Sequence, residues 1–307
     1  MAAPAAVQPD YPLARLTTVR TGGPAQYFAR AGSEEVLVEL LAWAVAEGHE
    51  VGVVGSGSNL LVADSGVRGL VIKLDDDLAR IDHDGTRMRC GGGARLPAVS
   101  ARAAQAGLSG IEFGVNIPGT VGGAVRMNAN AYGGELRRVL EEVTVVKSSG
   151  PEQRGPDELG FGYRSSGLGE GEVVSRAVFA LEPAPPASVK GTLGDMRARR
   201  KAAQPSGIKT FGSTFKNPED PRAEGRTAGQ LLEAAGCRGL RVGGAAFSEK
   251  HANFVENRGE ATTSDVLGLM AEGRRRVWER FGIALEPEVQ SLGKVVYGPG
   301  WDLGERS

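Results

Sequence analysis

The chain carries five short segments whose residue types and spacing can do chemistry. Gly55-Ser56-Gly57-Ser58-Asn59 follows a β-branched run and presents backbone N–H groups, hydroxyls and an amide, a set suited to nesting a diphosphate. Leu60 stands where a dinucleotide fingerprint needs its helix-packing glycine, so the Rossmann reading fails and an ordinary tight turn stays open as the alternative. Asn116-Ile117-Pro118-Gly119-Thr120-Val121-Gly122-Gly123-Ala124, continued by Met127 to Gly134, is a second cluster of small residues. Such a stretch lets a flat ring or a diphosphate approach the main chain, and Pro118 stiffens the approach.

The other three segments bear polar groups. Phe161-Gly162-Tyr163-Arg164-Ser165-Ser166 places a forked guanidinium, suited to a carboxylate, beside two aromatic rings, although without further context one of many solvated surface arginines is the simpler explanation. Gly212-Ser213-Thr214-Phe215-Lys216-Asn217-Pro218 and Leu285-Glu286-Pro287-Glu288-Val289 offer a hydroxyl and a carboxylate. Ser213 lacks a Gly-x-Ser-x-Gly setting and a histidine partner, which disfavours a hydrolase triad and leaves proton donation open. Arg197, Arg199, Arg200, Lys201 and the trio Arg274, Arg275, Arg276 read as solvated helix faces.

Several classes are set aside by composition. Lys plus Arg number 36 against 37 Asp plus Glu, so no basic field attracts nucleic acid. Cys90 and Cys237 form no Cys-x-x-Cys, and His49, His83 and His251 follow no ligand spacing, so neither a metal site nor a disulfide framework is expected. No Walker A sequence occurs. Met1 to Asp10 has neither the basic nor the apolar region of a signal peptide, and no uncharged apolar run approaches ~18 residues, so a cytoplasmic protein without a membrane span is expected.

These segments need elements to hold them. Ser33, then Glu34 and Glu35, then apolar residues at helical spacing up to Gly48 predict a helix. Val51 to Val54 and Val67 to Leu74 read as strands, as do Val143 to Val146 and Val173 to Leu181, with a helix near Leu96 to Ala106 between them. Pro183 to Lys190, with three prolines and no apolar face, reads as a linker. A last helix begins near Ser264-Asp265 and ends at Gly282, with Val266, Met270, Val277 and Phe281 on one face. With 307 residues, two or three lobes are expected, bounded at 1–75, 76–185 and 186–307.

In their order and spacing the five segments resemble the UDP-N-acetylenolpyruvoylglucosamine reductase family. The match runs from Leu16-Thr17-Thr18-Val19-Arg20-Thr21-Gly22-Gly23 to Leu285-Glu286-Pro287-Glu288-Val289, taking in Gly229-Gln230-Leu231-Leu232, Gly243-Gly244-Ala245 and Ser248 to Phe254. The resemblance implies an α+β fold: an FAD-binding module of the vanillyl-alcohol oxidase and p-cresol methylhydroxylase type in two subdomains, and a C-terminal α+β substrate domain whose stretch from about residue 285 returns to the active site. It implies non-covalent FAD held by Gly55 to Asn59 and by Pro118, Gly119, Thr120, Gly122, Gly123 and Ala124. It implies Arg164, Ser213 and Glu288 as catalytic residues and Tyr163, Lys201 and Asn217 as substrate-binding ones. The short span from Arg164 to Lys201 implies the short-loop subtype. Asn130 replaces a usual glycine, and Arg126 is not the residue expected at its position.

The implied reaction is the NADPH-dependent reduction of a UDP-sugar enolpyruvyl ether in peptidoglycan precursor synthesis, by a monomer without nucleic-acid or membrane partners. Two other readings remain at this point. A flavin-dependent sugar or alcohol oxidase of the same superfamily often tethers FAD through His or Cys, which the glycine loops do not contain. A non-catalytic nucleotide-sugar binder would take the UDP-sugar without turnover.

Overall fold

The computed structural model describes residues 2–205, 207–298 and 301–303. Two compact units emerge, each built from separate stretches of chain. One comprises Met1–Tyr11, Ala25–Ser56 and Arg68–Ala202; the other comprises Pro12–Pro24, Gly57–Val67 and Ala203–Ser307.

The first unit holds two sheets. One runs in the order Val7–Pro12, Pro24–Ala31, Val67–Leu74, Val51–Val53, with the last two strands parallel. Helix α1 (Glu34–Ala46) starts as predicted: Ser33 accepts a hydrogen bond from the Val36 N–H, and two glutamates sit in the positive first turn. Its Leu37, Leu40, Leu41 and Ala44 share a buried cluster with Leu70 and Ile72 of the neighbouring sheet. The other sheet is antiparallel, in the order Gly150–Arg154, Leu140–Lys147, Val173–Ala180, Arg87–Gly91, Ile81–Asp84. Helices α2 (Leu96–Ala106) and α3 (Val121–Arg126) contribute to its core through Leu96, Val99, Val121 and Val125, and the left-handed Gly107 ends α2.

The stretch read as a linker is corrected here. Helix α4 (Pro186–Ala203) starts inside it, because proline fits the first helical turn, where its missing N–H has no partner to lose. Val189 and Leu193 of α4 pack with Ala104 and Val115, which is why residues 186–202 belong to the first unit and not to the third lobe expected from the sequence.

In the second unit, α5 (Ala228–Ala234) and α6 (Thr263–Phe281) both begin with reciprocal capping boxes, Thr227 with Gln230 and Thr262 with Asp265. Val266, Met270 and Val277 of α6 are fully buried, each contributing about 1.5–3 kcal/mol through burial, and Gly282 at φ 68° stops the helix. A three-stranded antiparallel sheet, Arg241–Val242, Ala245–Phe247, Val255–Asn257, lies in the same unit. Residues 12–24 and 57–67 join it for two reasons. Leu60–Val62 pairs in parallel with Gln290–Leu292, and the buried Asn257 amide donates to the Val19 carbonyl at 2.9 Å. Sequence proximity had grouped both stretches with residues 1–75.

Candidate active site

The first unit brings the two glycine-rich stretches together. Ser56 Oγ donates to the Pro118 carbonyl across 62 positions of sequence. A Cβ on Gly55 would sit 2.5 Å from Thr120 Oγ1, so this glycine is required by its own neighbour. Lys73 Nζ donates to the Gly55 carbonyl at 2.9 Å from below, and burial holds its ammonium below the ordinary lysine range. The loop from 118 is pinned in turn by Leu96 N–H to Gly119 O at 3.0 Å, Val121 N–H to Ala94 O at 2.8 Å and Gly122 N–H to Gly92 O at 2.7 Å. Thr120 then caps α3 by accepting from the Gly123 N–H.

The glycines of this cradle fall into two kinds. Gly122 is tight, with a Cβ placed 3.2 Å from the Gly92 and Val174 carbonyls. Gly119 and Gly123 are not: their nearest neighbours would lie at 3.9 and 3.5 Å, ordinary contact distance, so protein packing does not demand glycine there. Small residues that the fold itself leaves room around would fit a planar ligand laid against the backbone; Gly119 and Gly123 are of that kind, whereas Ala124 is 3% exposed within the buried cluster of this unit.

Arg164 also belongs to the first unit. It occupies a two-residue turn closed by Gly162 N–H to Ser165 O at 3.1 Å and has φ 53°, a left-handed value rare outside glycine. Its guanidinium carbon lies 5.2 Å from the ring centroid of the exposed Tyr163. Lys201 is exposed on the last turn of α4. Asn130 does not adopt a positive φ: it pairs with Glu135 in a short strand, and the left-handed residues here are Asn128 and Tyr132.

Ser213, Asn217 and Glu288 belong to the second unit, together with Gly57, Ser58 and Asn59. Residues 213–216 lie between two other segments, bridged to each at single positions. On one side Thr214 N–H donates to Asn253 O at 2.8 Å, and the buried Asn253 side chain makes two hydrogen bonds to the Phe215 main chain, accepting from its N–H at 2.9 Å and donating to its carbonyl at 2.8 Å. On the other side Glu288 N–H donates to Thr214 O at 2.8 Å and Lys216 N–H to Glu286 O at 2.9 Å, around the antiparallel bridge Phe215–Pro287. These bonds set Glu288 opposite Thr214, while Ser213 itself bridges Phe254 on the other side; Ser213 and Glu288, 75 positions apart and both half-buried, thus lie on neighbouring segments one position out of register. The Asn59 amide donates to the Glu288 carbonyl at 3.2 Å, and Gln290 N–H donates to Asn59 O at 3.1 Å.

Asn217 spends its side-chain oxygen on the Ala228 N–H at the start of α5, a structural bond. Gly57, at φ 64°, would place a Cβ 1.9 Å from the Leu16 carbonyl, while its own carbonyl accepts from Thr18 N–H and Thr18 Oγ1. Lys73 and Asn253 were not singled out in the sequence; a lone lysine within the apolar run Val71-Ile72-Lys73-Leu74 was the available signal for the first. Burial pushes the Cys90 thiol up to about 12 and the Cys237 thiol up to about 11, which removes both as nucleophiles near neutral pH. Among the described residues no three His, Cys, Asp or Glu side chains group to hold a metal, and no helix is long and apolar enough to cross a membrane.

Comparison with known proteins completes the description. Residues 25–154 match the FAD binding domain family, and residues 204–292 match the family "UDP-N-acetylenolpyruvoylglucosamine reductase, C-terminal domain". The chain is 46% identical over 292 residues to UDP-N-acetylenolpyruvoylglucosamine reductase 2 of Symbiobacterium thermophilum, covering 94% of this chain and 93% of that one. It is 44% identical to the reductase of Sphingopyxis alaskensis, covering 93% and 94%. A crystal structure of the UDP-N-acetylenolpyruvylglucosamine reductase from Thermus caldophilus superposes with a TM-score of 0.80 at 38% identity, covering 93% of this chain and 98% of that one.

Proposed function

The chain belongs to the UDP-N-acetylenolpyruvoylglucosamine reductase family and is an FAD-dependent oxidoreductase, and on that premise we propose that it uses NADPH to reduce UDP-N-acetylglucosamine enolpyruvate to UDP-N-acetylmuramate. The work is done in the cytoplasm, by a monomer, as a step of peptidoglycan precursor synthesis. FAD, when bound, would supply the two-electron hydride chemistry that links NADPH to the enolpyruvyl group. Gly55 to Asn59 and Pro118 to Ala124 would hold it, a reading supported by the two glycines whose missing side chains the fold does not require.

The roles of the chain's own residues follow from charge. Hydride arriving at the terminal carbon moves negative charge toward C2 and its carboxylate. Arg164 meets that carboxylate with a fixed guanidinium, which stabilises charge as it develops. Glu288 orients a hydrogen bond at the same group, and Ser213 delivers a proton to C2; a hydroxyl is a weak acid, but a carbanionic carbon within reach is a strong enough base. Tyr163, Lys201 and Asn217 bind the substrate, Lys201 through its charge. The observation that supports this reading is the antiparallel seating of Ser213 to Lys216 against Glu286 to Glu288, which brings the two segments that carry the proton donor and the acid together from distant parts of the sequence.

The deciding experiment is direct. Purified protein should be yellow, release FAD on denaturation, be bleached by NADPH alone, and turn NADPH over only when the enolpyruvyl sugar is present, with little oxygen consumed. Oxygen consumption driven by a sugar or alcohol without NADPH would point to an oxidase, and colourless protein that binds the UDP-sugar would point to a binding protein.

A further inference from the structure

Arg126 ends α3, and every polar contact of its guanidinium goes to one loop. It donates to the main-chain carbonyls of Leu168 at 3.4 Å, Gly169 at 3.1 Å and Glu172 at 3.1 Å. Its own carbonyl accepts from Ser166 Oγ at 2.9 Å. Two residues further on, Asn128, 1% exposed and itself left-handed at φ 39°, donates to the Gly162 carbonyl at 3.2 Å and to the Glu135 carboxylate at 2.8 Å. The loop is closed at its base by Gly167 N–H to Leu159 O at 2.7 Å, and at its far end Arg154 grips the Glu172 carboxylate at 2.6 Å.

At the tip of this loop stands Arg164. A non-glycine residue held at left-handed φ costs roughly 1–2 kcal/mol, and such a conformation persists only where its surroundings over-determine it. Here the surroundings are identifiable: Asn128 holds the carbonyl that opens the turn, Ser166 is tied to Arg126 just after it, and Arg126 fixes the three carbonyls beyond.

We propose that Arg126 is a positioning residue for Arg164, clamping the 160–172 loop so that the guanidinium at its tip is presented in a single orientation. The proposal rests on the reading of Arg164 as the charge that meets the substrate carboxylate. The fork matters, because a planar guanidinium reaches three separate carbonyls at once, whereas an ammonium on a flexible stem is a point donor.

The test uses FAD-loaded enzyme, with Arg126→Met as the first variant and Arg126→Lys as the second should the first not fold. Either should slow reoxidation of the reduced flavin by substrate, on the order of 10²-fold for a misplaced charge, and leave reduction by NADPH at its wild-type rate. Backbone amides of residues 160–172 should exchange faster in the apoprotein, a readout independent of turnover. Placed in an Arg164→Ala background, the same change should have no further effect on reoxidation. Wild-type reoxidation in the folded Arg126 variants, or an undiminished further loss in the Arg164→Ala background, overturns the proposal. Wild-type reoxidation in Arg164→Ala alone overturns the reading of Arg164 itself, and with it this role for Arg126.

Discussion

The side-chain amide of Asn59 donates to the main-chain carbonyl of Glu288 at 3.2 Å, joining two residues 229 positions apart. Asn59 was expected from its glycine-rich surroundings to serve the cofactor, yet the bond it makes within its own unit sets the position of the C-terminal acid. Asn59→Ala should therefore cost about 1 kcal/mol of stability for the lost hydrogen bond and slow the substrate half-reaction even at saturating FAD. Full restoration of the rate by added FAD would assign Asn59 to the cofactor alone.

Ser213→Ala separates the two halves of the reaction. Reduction of the flavin by NADPH, followed by absorbance in a stopped-flow instrument, should keep its rate, because no proton is delivered to carbon in that half. Reoxidation by the enolpyruvyl sugar should slow by roughly 10²–10⁴-fold, the usual contribution of a positioned proton donor. Unchanged rates in both halves would remove Ser213 from the role.

Two glycine substitutions should act with opposite sign on the apoprotein. Gly57→Ala forces a side chain into left-handed φ with its Cβ 1.9 Å from the Leu16 carbonyl, and should lower stability by about 2 kcal/mol or more. Gly123→Ala lies in α3, where a Cβ would meet only Thr120 Oγ1 at an ordinary 3.5 Å, and should raise stability by ~0.5–1 kcal/mol, while weakening FAD binding by filling the space the ligand needs. Apoprotein melting and FAD titration check both. Undiminished FAD affinity in Gly123→Ala would place the cofactor elsewhere.

The Glu172 carboxylate gives stability a pH dependence. Hydrogen bonds from Arg154 hold it well below its ordinary 4.5, at about 2, against the opposing effect of burial, with help from the Gly169 N–H and Lys147. A carboxyl whose folded pKa is depressed stabilises the fold above its unfolded pKa, and that contribution is lost as pH falls through the folded value. Urea unfolding of wild type and Glu172→Gln should differ at pH 7 and converge between about pH 5 and pH 2. A gap that stays constant over that range would show that the ion pair is not its source.

Much of the scaffold was legible because local rules and tertiary packing agreed. Ser33 with its two glutamates, and Gly282 after the last helix, mark helix ends through bonds made within a few residues. α4 was missed because its prolines were read as breaks, although one of them opens the helix. The site was legible only as an order of motifs. Which residues touch depends on Phe215 facing Pro287 and on Asn253 completing a strand edge, contacts that leave no periodicity in the chain. Arg126 was noticed without an account because its partners lie 42 to 46 residues downstream and are main-chain carbonyls, invisible to any reading of side-chain types.

The parallel pairing of Leu60–Val62 with Gln290–Leu292 also has a bearing on biosynthesis. At a translation speed of ~5–20 residues per second, the earlier strand leaves the ribosome some ten to fifty seconds before its partner exists. Throughout that interval the nascent polypeptide carries an apolar, unpaired strand edge, the kind of surface that chaperones cover and that neighbouring chains can capture. Truncation just ahead of Gln290 would make that transient condition permanent, so loss of the stretch from Gln290 onward is a route to aggregation as well as to inactivity.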